Sequence, residues 1–482
     1  MPAEHPTREE LITLVQEQAE IIKNLRAENR ELKERIASLE RNSGNSSKPP
    51  STDKGNFTNP PAKPQSLRKK SGKKSGGQPG RKGSNLAKTE TPDHIIEHEL
   101  PDEVVCSKCE EASKPIVTGY QSRQVVDIPQ IKLEVTEHRA HQCKCEHCSA
   151  TITAPFPSDA KVSVQYGSRI KALSIYLSVF QLLPSKRLTE CLGDLFNARI
   201  SEGTLRNFIV SAGEKASIAV EPIKQALTNS SVLHSDETGC NLKGTRAWLH
   251  VACTTWLTFF YFDLKRGYEA MTNMNILPNY RGRLIHDCLS AYHRFTGCKH
   301  GLCVAHILRE LIYANEQLKQ PWAKAMKKLL LKAKTLTEEH PEGVPQKELD
   351  RIESCYKRIL KKGFEKNPEP QRVKGKRGRI KRSKQLNLLR RLDKRRDEFL
   401  AFLHNKEVPF DNNQAERDLR MMKTREKISG GFGKADRAKD FCNLRSIISC
   451  AIKQKRNVLG IITETLASPE STGQKLAEGG AE

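Results

Sequence analysis

Apolar, strand-like segments alternate with helical patterns between Ser231 and Ala314, and this alternation limits the possible folds more than any other feature of the chain. The expected strands cover residues 231–236, 246–253, 255–263, 283–287 and 301–305, and a helix is expected at 307–314. Strands interleaved with helices predict a mixed β-sheet flanked by helices. The first and the fourth strand each end in an aspartate, Asp236 and Asp287.

A third carboxylate, Glu416, lies near the start of a helix predicted from residue 412 onward. With Asp236 and Asp287 it can converge on one edge of the sheet, where carboxylates suit two Mg²⁺ (or Mn²⁺) ions. Such a pair of ions activates an attacking oxygen and stabilises a leaving oxygen in phosphodiester chemistry. Coincidence is the alternative, because the chain has 57 acidic residues and aspartates after strands often cap turns. Glu237 is expected to point to the opposite side of its strand from Asp236.

The positive charge of the chain is concentrated in two segments. The 482 residues are too many for one ordinary core, and they carry a net charge of +25. Residues 54–88 hold ten basic residues and no acidic one, and residues 366–396 hold fourteen basic and two acidic ones. A solvated linker and a solvated helical face are the alternatives, but the excess favours nucleic acid as the partner. The residues expected to contact DNA phosphates are Arg68, Lys69, Lys70, Lys73, Lys74, Arg81, Lys82, Lys376, Arg377, Arg379, Lys381 and Arg382.

Composition excludes several other classes of protein. No apolar stretch reaches the roughly 20 residues that span a bilayer. The first residues lack the apolar core of a signal peptide. The 14 cysteines are too sparse for a disulfide scaffold in a chain of this length. We therefore expect a cytoplasmic protein of a bacterium or archaeon.

Residues 8–41 are predicted to form a leucine-zipper coiled coil that assembles into a homodimer or a larger oligomer. The apolar heptad positions are Leu11, Val15, Ile22, Leu25, Leu32, Ile36 and Leu39. Asn29 lies at an a position, where a single Asn fixes the register and favours a parallel pair. A helix packed on its own domain is the alternative. It is disfavoured because residues 42–92, rich in Ser, Gly, Pro and Lys, are predicted to be a disordered basic linker.

Residues 93–156 contain two CxxC pairs and are predicted to form a small zinc-binding β domain. The expected ligands of a tetrahedral structural Zn²⁺ are Cys106, Cys109, Cys145 and Cys148. The strand-like segments 124–128 and 131–135 are expected to form a hairpin that returns the chain between the pairs. Two pairs of structural cysteines are the alternative reading. Cys143 can replace Cys145 as a ligand, and His147 is a less favoured spare.

Residues 165–225 are predicted to form a helical, helix-turn-helix-like DNA-binding domain. Helices are expected at 170–183 and 186–196, and a third begins after Ser201 as its N-cap. A helical packing domain without DNA contact fits this pattern equally well. The catalytic domain is expected at 228–466, with a helical basic insertion at about 316–400 that includes helices at 322–337 and 346–362. Residues 467–482 are expected to be a disordered tail.

Several ordered motifs resemble those of DDE transposases of the insertion sequence 66 family along nearly the whole chain. Besides the CxxC pairs, they are 45–51, 200–205, 234–239, 286–287 with 290–292, 303–306 with 308–311, and 412–417 with 427–432. The resemblance implies an RNase H-like catalytic domain in which Asp236, Asp287 and Glu416 bind the metal ions. The chain departs from the family at Cys288, Glu110 and Ser149, where many relatives have Gly. Cys303 and His306 are interpreted as a packing pair, because two ligands alone do not hold a metal.

These observations predict a multidomain α+β transposase. It would cleave DNA at the ends of an insertion sequence with water and transfer the freed 3′-hydroxyl to target DNA. Accessory proteins of the same element are possible partners that the resemblance implies. One alternative is a non-catalytic zipper and zinc-finger DNA-binding regulator, which has no use for the three carboxylates. Another is an RNase H-like nuclease or resolvase that cleaves without strand transfer.

Overall fold

The fold is mixed α+β, about half helical, with one central mixed sheet. The computed structural model describes residues 8–39, 80, 83, 86–129, 131–157, 159–370 and 382–479. A smaller compact unit comprises Ser66–Glu137 and Asp194–Ala198, and the larger unit comprises the rest of the chain. Among the described residues, no helix is both long and apolar enough to cross a membrane.

The N-terminal segment forms one uninterrupted helix, α1 (Arg8–Leu39), as the heptad pattern predicted. Apolar side chains at its heptad positions, such as Val15, Ile22 and Leu25, are exposed. An exposed apolar seam of this kind is what a coiled coil buries against a second helix.

Two short hairpins contain the CxxC pairs. In the smaller unit, β1 (Val104–Val105) pairs with β2 (Ala112–Ser113). In the larger unit, β3 (Gln142–Lys144) pairs with β4 (Thr151–Thr153). The hairpin expected at 124–128 and 131–135 is wrong, since the described residues of these segments form no strand. Their apolar side chains, including Val125, Ile128 and Val135, are exposed, so no core stabilises a ladder there.

The next part of the chain is helical, in agreement with the prediction. Helix α2 (Ser168–Ile175) runs into a five-residue π-helical turn, and α3 (Ser185–Phe196) and α4 (Glu202–Thr228) follow. Ser201 caps α4 as predicted, because its side chain accepts the N–H of Thr204 at 3.1 Å. The buried face of α4, with Ala216 and Ile223, lies in the same core as the central sheet.

The central sheet has the strand order β7-β6-β5-β8-β9. Its strands are β5 (Val232–Leu242), β6 (Thr245–Cys253), β7 (Thr258–Asp263), β8 (Arg283–His286) and β9 (Lys299–Leu302), with α5 (Tyr268–Asn273) before β8. Strands β5, β6 and β7 are antiparallel, whereas β8 and β9 run parallel to β5. The five predicted strands are present, with two corrections. The last strand lies at 299–302 and not at 301–305, because a helix begins at Val304. Strand β5 does not end at Asp236 but continues to Leu242, because β6 pairs with it along this whole stretch.

Both faces of the sheet are buried. Consecutive residues Leu284 and Ile285 of β8 point to opposite faces and belong to two different cores. The second core is built by α6 (Val304–Glu316), α7 (Pro321–Glu339), α8 (Gln346–Lys366), α9 (Lys384–Lys394), α10 (Arg396–Phe399) and α11 (Ala401–His404). The helices predicted for the insertion are therefore present. Helices α12 (Asn413–Ser429), α13 (Ala435–Lys453), α14 (Val458–Ala467) and α15 (Pro469–Glu478) complete the chain, and all four contribute to the first core.

The disordered tail predicted from residue 467 is wrong for residues 469–478, which form α15. Leu476 and Thr472 of this helix are buried. Gly473 lies so close to α4 that a Cβ atom there would be 2.3 Å from the carbonyl oxygen of Ala219. This helix is held by close backbone packing and not by a large apolar face. Its sequence is therefore polar, and the apolar pattern did not predict a helix.

Candidate active site

The register of two parallel strands aligns Asp236 and Asp287. His234 of β5 pairs with Ile285 of β8, and each aspartate follows its paired residue by two positions. The aspartates therefore lie side by side, although Asp236 is within a strand and Asp287 follows one. Glu416 comes from the first turn of α12.

The three carboxylates interact electrostatically. Burial raises the pKa of Asp236 well above its usual value, and the charges of Glu237, Asp287 and Glu416 raise it further. Burial also raises the pKa of Asp287 to about 6, and the charge of Glu237 adds to this effect. The pKa of Glu416 is raised for the same main reason, burial. Clustered carboxylates that resist ionisation favour a cation at the site.

Asn412 joins the start of α12 to β5 and so holds Glu416 near the aspartates. Its Nδ2 donates to the carbonyl oxygen of Ser235 at 2.9 Å, and its Oδ1 lies 2.8 Å from Nδ1 of His234. Its backbone N–H donates to Sγ of Cys303 at 3.2 Å. The sequence singled out the motif at 412–417, but it did not reveal this role of Asn412.

Glu237 is a fourth, fully buried carboxylate beside the aspartates, and it has its own partners. The hydroxyl of Tyr292 donates to its Oε2 at 2.7 Å, and Nε of Arg266 donates to its Oε1 at 2.9 Å. The guanidinium of Arg266 also stacks on Trp248, 4.9 Å from the ring centroid. Glu237 therefore anchors a half-exposed arginine beside the aspartates, a role that its position in the strand did not reveal.

Two groups of three ligand-type side chains occur in the described part of the chain, each with its ligand atoms within 4.8 Å of one another. One group consists of His286, His293 and His300. The other consists of Cys303, His306 and Glu416. The pair interpreted as packing thus has a third ligand-type neighbour, which no spacing in the sequence indicated.

The two CxxC pairs lie in turns of the same geometry. The N–H of Glu110 donates to the carbonyl oxygen of Cys106 at 2.9 Å, and that of Ser149 donates to that of Cys145 at 2.8 Å. Glu110 and Ser149 have φ angles of +59° and +57°, in the left-handed region that favours glycine. The turn therefore keeps the backbone that a glycine would adopt, although neither residue is glycine.

Backbone N–H groups of these turns point at the first thiol of each pair. That of Lys108 is the main cause that lowers the pKa of Cys106, and that of Cys148 is the main cause that lowers the pKa of Cys145. Cys143 lies on β3 instead, before the turn. Cys145 therefore shares the turn geometry of Cys106, whereas Cys143 does not.

Among the predicted DNA-contacting residues, Arg382 alone lies in the described part of the chain. Its Nε donates to Oε2 of Glu369 at 2.8 Å. The motif at 45–51 and the residues Arg68, Lys69, Lys70, Lys73, Lys74, Arg81, Lys82, Lys376, Arg377, Arg379 and Lys381 lie outside the described residues. Next to Glu416, the helix α12 exposes Arg417, Arg420 and Lys427 on one face, a basic surface that the sequence reading missed.

A mixed sheet whose clustered carboxylates suit divalent cations is typical of enzymes that process nucleic acids by metal-assisted phosphodiester chemistry. The chain belongs to the Transposase IS66 family, whose model matches residues 163–440, more than half of its length. A family of unknown function (DUF6444) matches residues 2–87. No curated protein matches the chain closely enough to serve as a named relative. Family membership confirms the resemblance found in the sequence, and it implies DNA binding and the use of divalent metal ions.

Proposed function

We propose that the protein cleaves DNA at the ends of its insertion sequence and joins the freed 3′-hydroxyl ends to target DNA. The observation that carries this proposal is the shared register of Asp236 and Asp287, with Glu416 held beside them by Asn412. Three antiparallel strands extended by two parallel ones support the RNase H-like catalytic domain that the family resemblance implies.

Asp236, Asp287 and Glu416 are the residues that would hold two Mg²⁺ or Mn²⁺ ions. Their oxygen donors suit these hard cations. Mutual repulsion among the carboxylates, and a buried Oε1 of Glu416 without a hydrogen-bond partner, fit a site that binds cations. When bound, two such ions activate the attacking oxygen and stabilise the leaving oxygen of the phosphodiester.

The other residues of the site position these carboxylates and the DNA. Asn412 fixes the turn of Glu416, and Glu237 with Tyr292 fixes the guanidinium of Arg266. This guanidinium is 44% exposed, so it can contact a DNA phosphate without leaving Glu237. The basic face of α12 supplies further phosphate contacts beside Glu416. No covalent intermediate with Ser, Tyr or Cys is required.

The remaining parts of the chain are assigned supporting roles. The exposed apolar seam of α1 supports assembly into a homodimer or larger oligomer. A structural Zn²⁺ bound by the four CxxC cysteines and DNA recognition by α3 and α4 stay predictions of the sequence. The same holds for phosphate binding by the two basic segments and for accessory proteins of the element.

The test is a cleavage and strand-transfer assay with Mg²⁺ and DNA that carries the element end. Asp236→Asn, Asp287→Asn and Glu416→Gln are each expected to lower cleavage by about a thousandfold or more while DNA binding is retained. The exposed Glu407→Gln is the matched control and is expected to stay active.

Three outcomes of these assays separate the alternatives. Full activity in any one of the three variants removes that residue from the site. A wild-type protein that binds DNA without cleaving it would be a regulator. Cleavage without any strand-transfer product would identify a nuclease or resolvase.

A further inference from the structure

His306, in the first turn of α6, faces Glu416 across the site. Its Nδ1 lies 3.8 Å from Oε1 of Glu416. Both atoms are buried, and neither has a hydrogen-bond partner among the described residues. Buried polar atoms without partners are rare in folded proteins, so this facing pair requires an explanation.

A direct interaction does not provide one. The separation of 3.8 Å is too long for a hydrogen bond. The guanidinium of Arg309, with NH2 3.9 Å from the same Oε1, is also beyond hydrogen-bond distance.

A cation between the two side chains satisfies both atoms. Metal bonds to imidazole nitrogen and carboxylate oxygen are about 2.0–2.2 Å long, so one ion can reach two ligand atoms separated by up to about 4 Å. A neutral imidazole is the form that binds metal. The facing pair has the spacing of two ligands of one ion, and both of its atoms lack another partner.

Cys303, the third member of the group, has a different role. Its Sγ already accepts the backbone N–H of Asn412. Cys303 is therefore assigned to supporting the backbone at the start of α12.

We propose that Nδ1 of His306, together with Glu416, binds the divalent cation at the Glu416 end of the active site. The proposal rests on the metal-dependent function proposed above and adds a fourth protein ligand to it. An imidazole ligand suits Mn²⁺, Co²⁺ and Zn²⁺ better than Mg²⁺. The site is therefore expected to bind Mn²⁺ more tightly than Mg²⁺, and this preference is expected to shrink when His306 is replaced.

The experiment measures Mn²⁺ bound to the full-length protein by pulsed electron paramagnetic resonance. The wild type is expected to show the coupling of a directly bound ¹⁴N nucleus, which changes to that of ¹⁵N when histidine is labelled with ¹⁵N. His306→Gln is expected to lose this coupling and to bind Mn²⁺ about tenfold or more weakly. His300→Gln, which removes a member of the other group of three ligand-type side chains, is the control and is expected to keep the coupling.

The outcomes separate this proposal from the proposed function. If Asp236→Asn loses Mn²⁺ binding but the wild type shows no nitrogen coupling, the role of His306 is overturned and the carboxylate site is retained. A coupling that persists in folded His306→Gln would overturn it as well. Absence of Mn²⁺ binding, or binding indifferent to Asp236→Asn, would overturn both proposals. Where His306→Gln does not fold, His306→Asn replaces it in the same measurement, because histidine labelling alone does not distinguish His306 from the group of His286, His293 and His300.

Discussion

Asp287 illustrates how a single residue at this site weakens the fold while serving its chemistry. Its pKa of about 6 in the folded chain exceeds the value near 4 of an unfolded aspartate. Folding therefore favours the protonated form of Asp287. The free energy of unfolding falls as pH rises from about 4 through about 6. Without metal, Asp287→Asn is expected to be more stable than the wild type at pH 8 by roughly 3 kcal/mol, and equal to it near pH 4.

Thermal unfolding in EDTA across this pH range measures the difference, with the exposed Glu407→Gln as the control. Wild-type and Asp287→Asn unfolding temperatures that stay parallel from pH 4 to pH 8 would contradict the raised pKa. Added Mn²⁺ is expected to stabilise the wild type at pH 8 more than the variant, because bound ligand stabilises the folded state.

The glycines of the motif at 427–432 have a structural explanation at the same scale. Gly430 ends α12 with a φ of +69°. A Cβ atom on Gly431 would lie 2.2 Å from the carbonyl oxygen of Asn241. This close approach lets Phe432 donate its N–H to Asn241 at 2.7 Å, which fixes the end of α12 against the end of β5. The motif therefore orients the helix that carries Glu416.

At the scale of elements, apolar periodicity predicted the helices and strands that depend on local sequence. It missed those that depend on pairing or packing with distant parts of the chain. Strand β8 and helix α7 were predictable because their apolar spacing is strong. The full length of β5 was not, because its second half is stabilised by pairing with β6. Residues 124–135 have a strand-like pattern but no partner, and α15 has a partner in α4 but little apolar pattern.

The residues of the candidate active site were likewise predictable only where local sequence identifies them. Asp236, Asp287 and Glu416 could be selected because strands and a helix start precede them in the sequence. Asn412 and His306 could not be given roles, because their contacts are with residues about a hundred or more positions away.

Helix α1 provides the prediction at the element scale. The exposed seam that includes Ile22 and Leu25 is expected to pack on a second copy of the helix. Leu25→Asp places a charge in this seam and is expected to convert the dimer or larger oligomer into monomer, measured by analytical ultracentrifugation. Gln16→Glu, at a heptad position outside the seam, is the control and is expected to leave assembly unchanged. A wild type that is already monomeric at micromolar concentration would contradict the zipper.

For the whole molecule, the distribution of the net charge of +25 indicates that two basic segments bind DNA nonspecifically and that the rest of the chain recognises the sequence. Nearly all of the excess lies in residues 54–88 and 366–396, so the rest of the chain is close to neutral. Contacts to phosphates release counterions, and each lowers the slope of log affinity against log salt by about 0.9. Replacing Lys376, Arg377, Arg379, Lys381 and Arg382 by Gln is therefore expected to make this slope shallower by up to about 4.5.

The preference for element ends over unrelated DNA is expected to stay nearly constant in this variant, because phosphate contacts carry no sequence information. Fluorescence anisotropy between about 50 and 200 mM salt, with both DNAs, measures the slope and the preference together. The control, Lys324→Gln with Lys328→Gln, removes two exposed charges from α7 and is expected to leave the slope unchanged. An unchanged slope in the five-residue variant would show that this segment is a solvated surface. A lost preference would show that it reads bases, and the division between nonspecific segments and a specific core would then be wrong.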